Sequence, residues 1–121
     1  MFNEDSIAVK DDFFGRMSHP SAGSWVAEPC GDTMEFYLII HDGVIEKVEY
    51  YTDGCEFTRR CGMAVAQYVQ GKNTSDAIAI SAKQVLEELG QIPQEKRHSA
   101  ILAVSAFYTA LDQYCVQQAN S

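Results

Sequence analysis

A short run of alternating residues decides most of what this chain can become. From Thr33 to His41 (TMEFYLIIH), Met34, Phe36, Leu38 and Ile40 alternate with Thr33, Glu35, Tyr37 and Ile39. A period of two over nine residues predicts a strand with one buried face. Asp42-Gly43 follows, a dipeptide that accepts the positive φ angles of a tight hairpin turn. Val44 to Thr52 (VIEKVEYYT), rich in β-branched and aromatic residues, then returns as a second strand. A hairpin makes neighbours of its outer ends. Cys30 and Asp32 precede the outgoing strand and Cys55 follows the returning one, so two thiols and a carboxylate are expected at one end of a rigid element.

The remaining segments read as support for that hairpin. Gly23 to Glu28 is a candidate third strand. After Cys55 the period changes: Phe57, Cys61, Ala64 and Tyr68 form one stripe of a helix that ends near Gln70, before Gly71. Asn73-Thr74-Ser75 offers a cap for a brief helical turn. Ser81-Ala82-Lys83-Gln84 reads as a capping box opening a helix that stops at Gly90. Pro93 suits the first turn of a last helix over about Gln94 to Gln117, with Ile101, Val104, Tyr108, Leu111 and Cys115 as its apolar stripe. Strands first and helices after predict an α+β domain: a small antiparallel three-stranded sheet with helices packed on one face. With 121 residues, one domain over residues 1–121 is expected. Residues 1–18 form a weakly determined N-terminal segment; Phe13, Phe14 and Met17 offer a short apolar face, and His19-Pro20 ends any helix there.

Composition narrows the function classes. Seventeen acids against nine bases give a net charge of −8, which repels nucleic acid and anionic membranes alike. No apolar run is long enough to span a bilayer, and the N-terminus lacks the basic-then-apolar layout of a signal peptide. A cytoplasmic protein with reduced thiols is expected, and there cysteines point to metal or redox chemistry. Cys30, Asp32, Cys55 and His98 supply thiolate, carboxylate and imidazole, a donor set suited to zinc or iron. Taken singly, each has a plainer reading: a cysteine as a small buried hydrophobe, Asp32 as a turn cap, His98 as a surface residue.

Several motifs, in order, resemble the NifU/IscU-type iron–sulfur cluster scaffold family. They are Pro29-Cys30-Gly31-Asp32-Thr33-Met34, Asp42-Gly43-Val44-Ile45, Thr52-Asp53-Gly54-Cys55, Gly71-Lys72 and Lys96-Arg97-His98-Ser99, with His19-Pro20 similar to the family's opening Asn-Pro. The resemblance covers about residues 19 to 115. It implies a scaffold, not an enzyme, that binds iron and assembles a transient 2Fe–2S cluster before passing it on. Matched position by position, Cys30, Asp32, Cys55 and His98 are the implied ligands, two for each iron. A harder carboxylate or imidazole holds iron less firmly than thiolate, which suits a cluster meant for release. Zinc is the implied alternative occupant.

The main departure is Ser99, which stands where the resemblance expects a third cysteine. A neutral hydroxyl is a poor iron ligand and cannot carry a persulfide. Cys61 could replace it, but lies about 240° around a regular helix from Cys55 at roughly 100° per residue. It also falls on the apolar stripe, so Cys61 and Cys115 are both expected in the core. The resemblance implies a cysteine desulfurase as sulfur donor and acceptor apoproteins as recipients. The family's chaperone-docking Leu-Pro-Pro-Val-Lys appears as Ile92-Pro93-Gln94-Glu95-Lys96, keeping only the second-position proline and the lysine, which argues against a dedicated chaperone. Two alternatives stand beside the scaffold: a zinc-dependent sulfurtransferase of the SufU branch, and a degenerate zinc-binding relative. The first lacks support from the segment between Gly71-Lys72 and Ser81, where that branch carries an insertion absent here.

Overall fold

The hairpin forms as its alternation predicts. The computed structural model describes residues 12–29 and 31–119. Strand β2 (Thr33–His41) pairs antiparallel with β3 (Val44–Tyr51), from Glu35↔Tyr51 to His41↔Val44. Asp42 and Gly43 turn the chain with φ of 53° and 77°, both positive as a two-residue hairpin of this type requires. Met34, Phe36, Leu38 and Ile40 are all buried. On β3 the buried residues are Ile45, Val48 and Tyr50, which strict alternation does not allow. The register explains this. Ile40 pairs with Ile45 but Ile39 with Lys47, so Glu46 is an extra residue that resets which side chains face inward.

Strand β1 (Ala22–Ala27) pairs antiparallel with the other edge of β2, from Ala22↔Leu38 to Ala27↔Thr33, giving the order β1-β2-β3. The N-terminal segment adds an unexpected contact at the β3 edge. Phe14 bridges Tyr50 in parallel, Gly15 N–H donates to the Tyr50 carbonyl at 2.8 Å, and Tyr50 N–H donates to that of Phe13 at 2.8 Å. Phe13, in a turn, and Phe14, in a single bridge, thus dock at the edge of the sheet and pack on the core from there.

Four helices follow: α1 (Glu56–Val69), α2 (Thr74–Ala77), α3 (Ala82–Leu89) and α4 (His98–Ala119). Helix α1 buries Thr58, Cys61, Gly62, Ala64, Val65, Ala66 and Val69; of the expected stripe Cys61 and Ala64 are buried and Phe57 and Tyr68 half-buried, so the buried face is wider and rotated slightly. A Cβ on Gly62 would lie 2.5 Å from the Tyr50 ring, so α1 packs tightly on the sheet at this position. Asn73 caps α2 by accepting from Asp76 N–H at 2.9 Å, and Ser81 caps α3 by accepting from Gln84 N–H at 3.2 Å. Gly90 ends α3 with φ 79°.

The last helix departs from expectation in two ways. Gln94–Lys96 is a separate 3-10 turn after Pro93, and the α-helix begins only at His98. Its buried face overlaps the expected stripe at Val104 and Leu111 but not at Ile101 or Cys115. Ser99, Ala100, Leu102, Ala103, Val104, Ala106, Phe107, Ala110 and Leu111 are buried, while Ile101 is 57% exposed and Cys115 is exposed. Cys115 is thus a surface residue, correcting its expected place in the core. Small alanines bring this helix close to the sheet, where Phe107 meets Phe36 edge-on with ring centres 6.2 Å apart.

Candidate metal and cluster site

Three turns converge at the end of the sheet away from Asp42-Gly43. The β1–β2 connection closes on itself: Glu28 N–H donates to the Asp32 carbonyl at 2.9 Å, and Gly31 N–H donates to that of Glu28 at 2.9 Å. Gly31 has φ 104°, a conformation that side chains rarely adopt. Across the hairpin, Thr33 Oγ1 donates to Asp53 Oδ1 at 2.9 Å, the Thr52 hydroxyl donates to the Thr33 carbonyl, and Gly54 N–H donates to Thr52 Oγ1 at 3.0 Å. Those bonds aim the chain so that Cys55 becomes the N-cap residue of α1. A Cβ at Gly54 would stand 2.9 Å from the Thr58 side chain, so this approach also needs glycine.

Thr58 joins the parts. Its hydroxyl oxygen lies 3.4 Å from Asp32 Oδ2, 3.6 Å from Cys55 Sγ and 3.2 Å from Ser99 Oγ. Thr58 and Ser99 are fully buried, whereas Cys55 is exposed and Asp32 and His98 are half-buried. The result is a solvent-facing rim of donors over a sealed hydroxyl pair. On that rim Glu28, Asp32 and His98 each offer a donor atom, all within 4.8 Å of one another, with His98 Nε2 3.6 Å from Glu28 Oε1.

The two cysteine environments differ. Burial tends to push the Cys55 thiol up, but the Thr58 amide and hydroxyl, the Phe57 amide and the Lys96 charge outweigh it and hold the thiol below its ordinary value. These are donors at a helix start, which favour thiolate. Burial pushes the Cys61 thiol up to about 11, the setting of an inert core sulfur.

Of the residues singled out in the sequence, Asp32, Cys55 and Ser99 meet through Thr58, and His98 meets Asp32. Cys30 lies outside the described residues. Cys61 is buried on α1. Glu28 and Thr58 were not singled out, and Lys96 was read only as part of two motifs. Glu28 follows the last β1–β2 register pair, Ala27↔Thr33, and so comes opposite Asp32. Thr58 stands three residues after Cys55, one helical turn on and therefore on the same side. The donor types suit iron or zinc, but Cys55 stands apart from the close group: it reaches Asp32 only through Thr58, while Glu28, Asp32 and His98 are the donors within 4.8 Å of one another.

A three-stranded antiparallel sheet backed by helices, with sulfur, oxygen and nitrogen donors at its turn end, defines a small α+β domain. The chain belongs to the NifU-like N-terminal domain family, whose pattern it matches over residues 10–121. It is 33% identical over 117 residues to the iron–sulfur cluster assembly scaffold protein IscU of Haemophilus influenzae, covering 96% of this chain and 87% of that one. It is 35% identical over 89 residues to the IscU scaffold of Escherichia coli K12, covering 73% and 69%. Among solved structures, the N-terminal NifU-like protein of Brucella abortus superposes with a TM-score of 0.66 at 22% identity, covering 91% and 95%. The SUF-system scaffold SufU of Fervidobacterium islandicum does so with 0.68 at 13% identity, covering 88% and 92%. Both likenesses are of fold. Among the described residues no helix is long and apolar enough to cross a membrane.

Proposed function

We propose that this protein is an iron–sulfur cluster assembly scaffold that binds iron and holds a labile 2Fe–2S cluster for transfer to acceptor apoproteins. The ligands in this reading are Cys30, Asp32, Cys55 and His98. The observation that carries it is the Cys55 thiol, held low at a helix start and linked through Thr58 to Asp32. Support also comes from relatives named as cluster scaffolds that align over most of the chain.

Each residue type has a task. Thiolate sulfur binds iron strongly, and Cys55 is set up to be that thiolate. Asp32 and His98 are harder donors that release iron more readily, so a cluster held by all of them is retained less firmly than one held by thiolates alone. The cargo sits at an exposed rim, open to an acceptor. Sulfur comes from a cysteine desulfurase in this reading, and the setting is the cytoplasm. The scaffold itself need catalyse nothing. The SufU-type sulfurtransferase remains the second reading, with a likeness of fold behind it.

Anaerobic reconstitution with ferrous iron and sulfide tests this. The expected product absorbs in the visible and contains iron and acid-labile sulfide in equal amounts. Cys55→Ser should abolish it, whereas Cys61→Ser should leave it. Zinc retention without any iron–sulfide product would instead favour the sulfurtransferase or a degenerate zinc-binding relative.

A further inference from the structure

We propose that Glu28 joins Asp32 and His98 as a ligand in a site for a single divalent metal ion, taken up without sulfide. The proposal shares Asp32 and His98 with the scaffold reading but adds a ligand that reading does not use, and it needs neither sulfide nor a cluster.

The backbone brings the two carboxylates together. Glu28 and Asp32 flank one tight turn, tied by the bond from Glu28 N–H to the Asp32 carbonyl, and α4 begins at the level of that turn with His98. The three donor atoms lie within 4.8 Å of one another. His98 Nε2 and Glu28 Oε1 stand 3.6 Å apart. That is too long for an N–H···O hydrogen bond, which runs about 2.7–3.2 Å. It is close to the edge of a tetrahedron around zinc, about 3.4 Å for metal–ligand bonds near ~2.1 Å. That one spacing suits two ligands sharing an ion, as it suits a direct ion pair between an imidazolium and a carboxylate.

Charge points the same way. Two carboxylates on one short turn repel each other, and the whole chain carries −8, so a cation between them relieves a local and a global strain. Selectivity follows from donor type. Two carboxylates and an imidazole suit ferrous iron, cobalt, manganese or zinc, and three protein ligands leave positions open for water or incoming sulfur. Ser99 does not compete for the ion. Its hydroxyl is fully buried and 3.2 Å from Thr58 Oγ1, turned into the hydroxyl pair under the rim. Glu28 therefore supplies an anionic donor that position 99 does not.

The test is calorimetric titration of the full chain with Co²⁺ alone, anaerobically at pH 8. Wild type should bind one equivalent. Glu28→Gln should bind at least tenfold more weakly, and Glu87→Gln, on the exposed side of α3, within twofold of wild type. Glu28→Ala is the second variant: the turn's bonds at residue 28 are made by backbone atoms, so removing the side chain leaves them intact. It should lose affinity as Glu28→Gln does. Wild type without Co²⁺ binding, or both Glu28 variants within twofold of wild type, would overturn the proposal. Reconstitution with iron and sulfide separates the two readings. A cluster formed by wild type alongside Co²⁺ binding indifferent to Glu28 removes this inference alone. Glu28-dependent Co²⁺ binding with no cluster removes the scaffold alone.

Discussion

Beneath the donor rim, Thr58 and Ser99 satisfy each other. A buried hydroxyl without a partner is costly, so each makes the other tolerable in a place otherwise given to apolar side chains. Thr58→Val should strand the Ser99 hydroxyl and cost about 1–3 kcal/mol, measured by urea unfolding, while Thr58→Ser should cost less. The same contacts bear on Ser99→Cys. Thr58 touches Asp32, Cys55 and Ser99, so a thiol at position 99 would stand within one side chain of both proposed ligands. A soft donor there should lengthen the life of a reconstituted cluster against a chelator, read as decay of visible absorption. Equal lifetimes for Ser99→Cys and wild type would mean the buried pocket keeps that thiol from iron. The sequence marked Ser99 as standing where a third cysteine is expected, but not its pairing with Thr58. Thr58 and Ser99 lie 41 residues apart, and their polarity predicts exposure until the partner is known.

Elements were far more legible than the contacts between them. The β2 alternation, the Asp42-Gly43 turn, the Asn73 and Ser81 caps and the Gly90 stop are local chemistry, and each formed where its residues indicated. Two features needed tertiary information. The extra residue Glu46 resets β3 without any glycine or proline to mark it. The face of α4 is set by Ala100, Ala103, Ala106 and Ala110, whose small side chains carry little hydrophobic contrast, so the larger Ile101 and Cys115 misled. Small residues matter most where elements touch, and Gly62 is the sharpest case. A methyl group there would stand 2.5 Å from the Tyr50 ring, in a core where Tyr50 is fully buried. Gly62→Ala should destabilise by about 1–3 kcal/mol through overpacking, although alanine favours helix. A gain in urea midpoint would show that α1 can retreat from the sheet.

Across the whole molecule, the sheet is held on both faces, and one charged cluster secures the face that the helices leave open. Glu35 is buried on β2, where Arg16 reaches it with Nε at 2.9 Å and Nη2 at 3.0 Å, and the Tyr37 hydroxyl donates to the same carboxylate. Arg16 also stacks 3.8 Å over the Tyr51 ring, and Arg59 of α1 stacks 3.9 Å over Phe14, so the N-terminal segment is clamped to the sheet at two points. The Arg16 hydrogen bonds outweigh burial and hold the Glu35 carboxyl below its ordinary value of 4.5. Burial, with the bond to Glu35, pushes the Tyr37 phenol up to about 12. For a carboxylate lowered by folding, the linked stability is fully present above about pH 4.5 and drains away as pH falls through the lower folded value. The surrounding excess of acids complicates a simple acid titration, since protonating them also relieves self-repulsion. Comparing wild type with Glu35→Gln cancels that background, because the variant differs by one carboxyl among seventeen acids. Melting temperatures from pH 7 to pH 2.5 should separate the two proteins most at neutral pH, with wild type higher, and the gap should shrink below about pH 4.5 as Glu35 takes up its proton. A gap that stays constant down to pH 2.5 would mean that Glu35 acts through shape and hydrogen bonding alone, and that its charge contributes nothing to clamping the N-terminal segment.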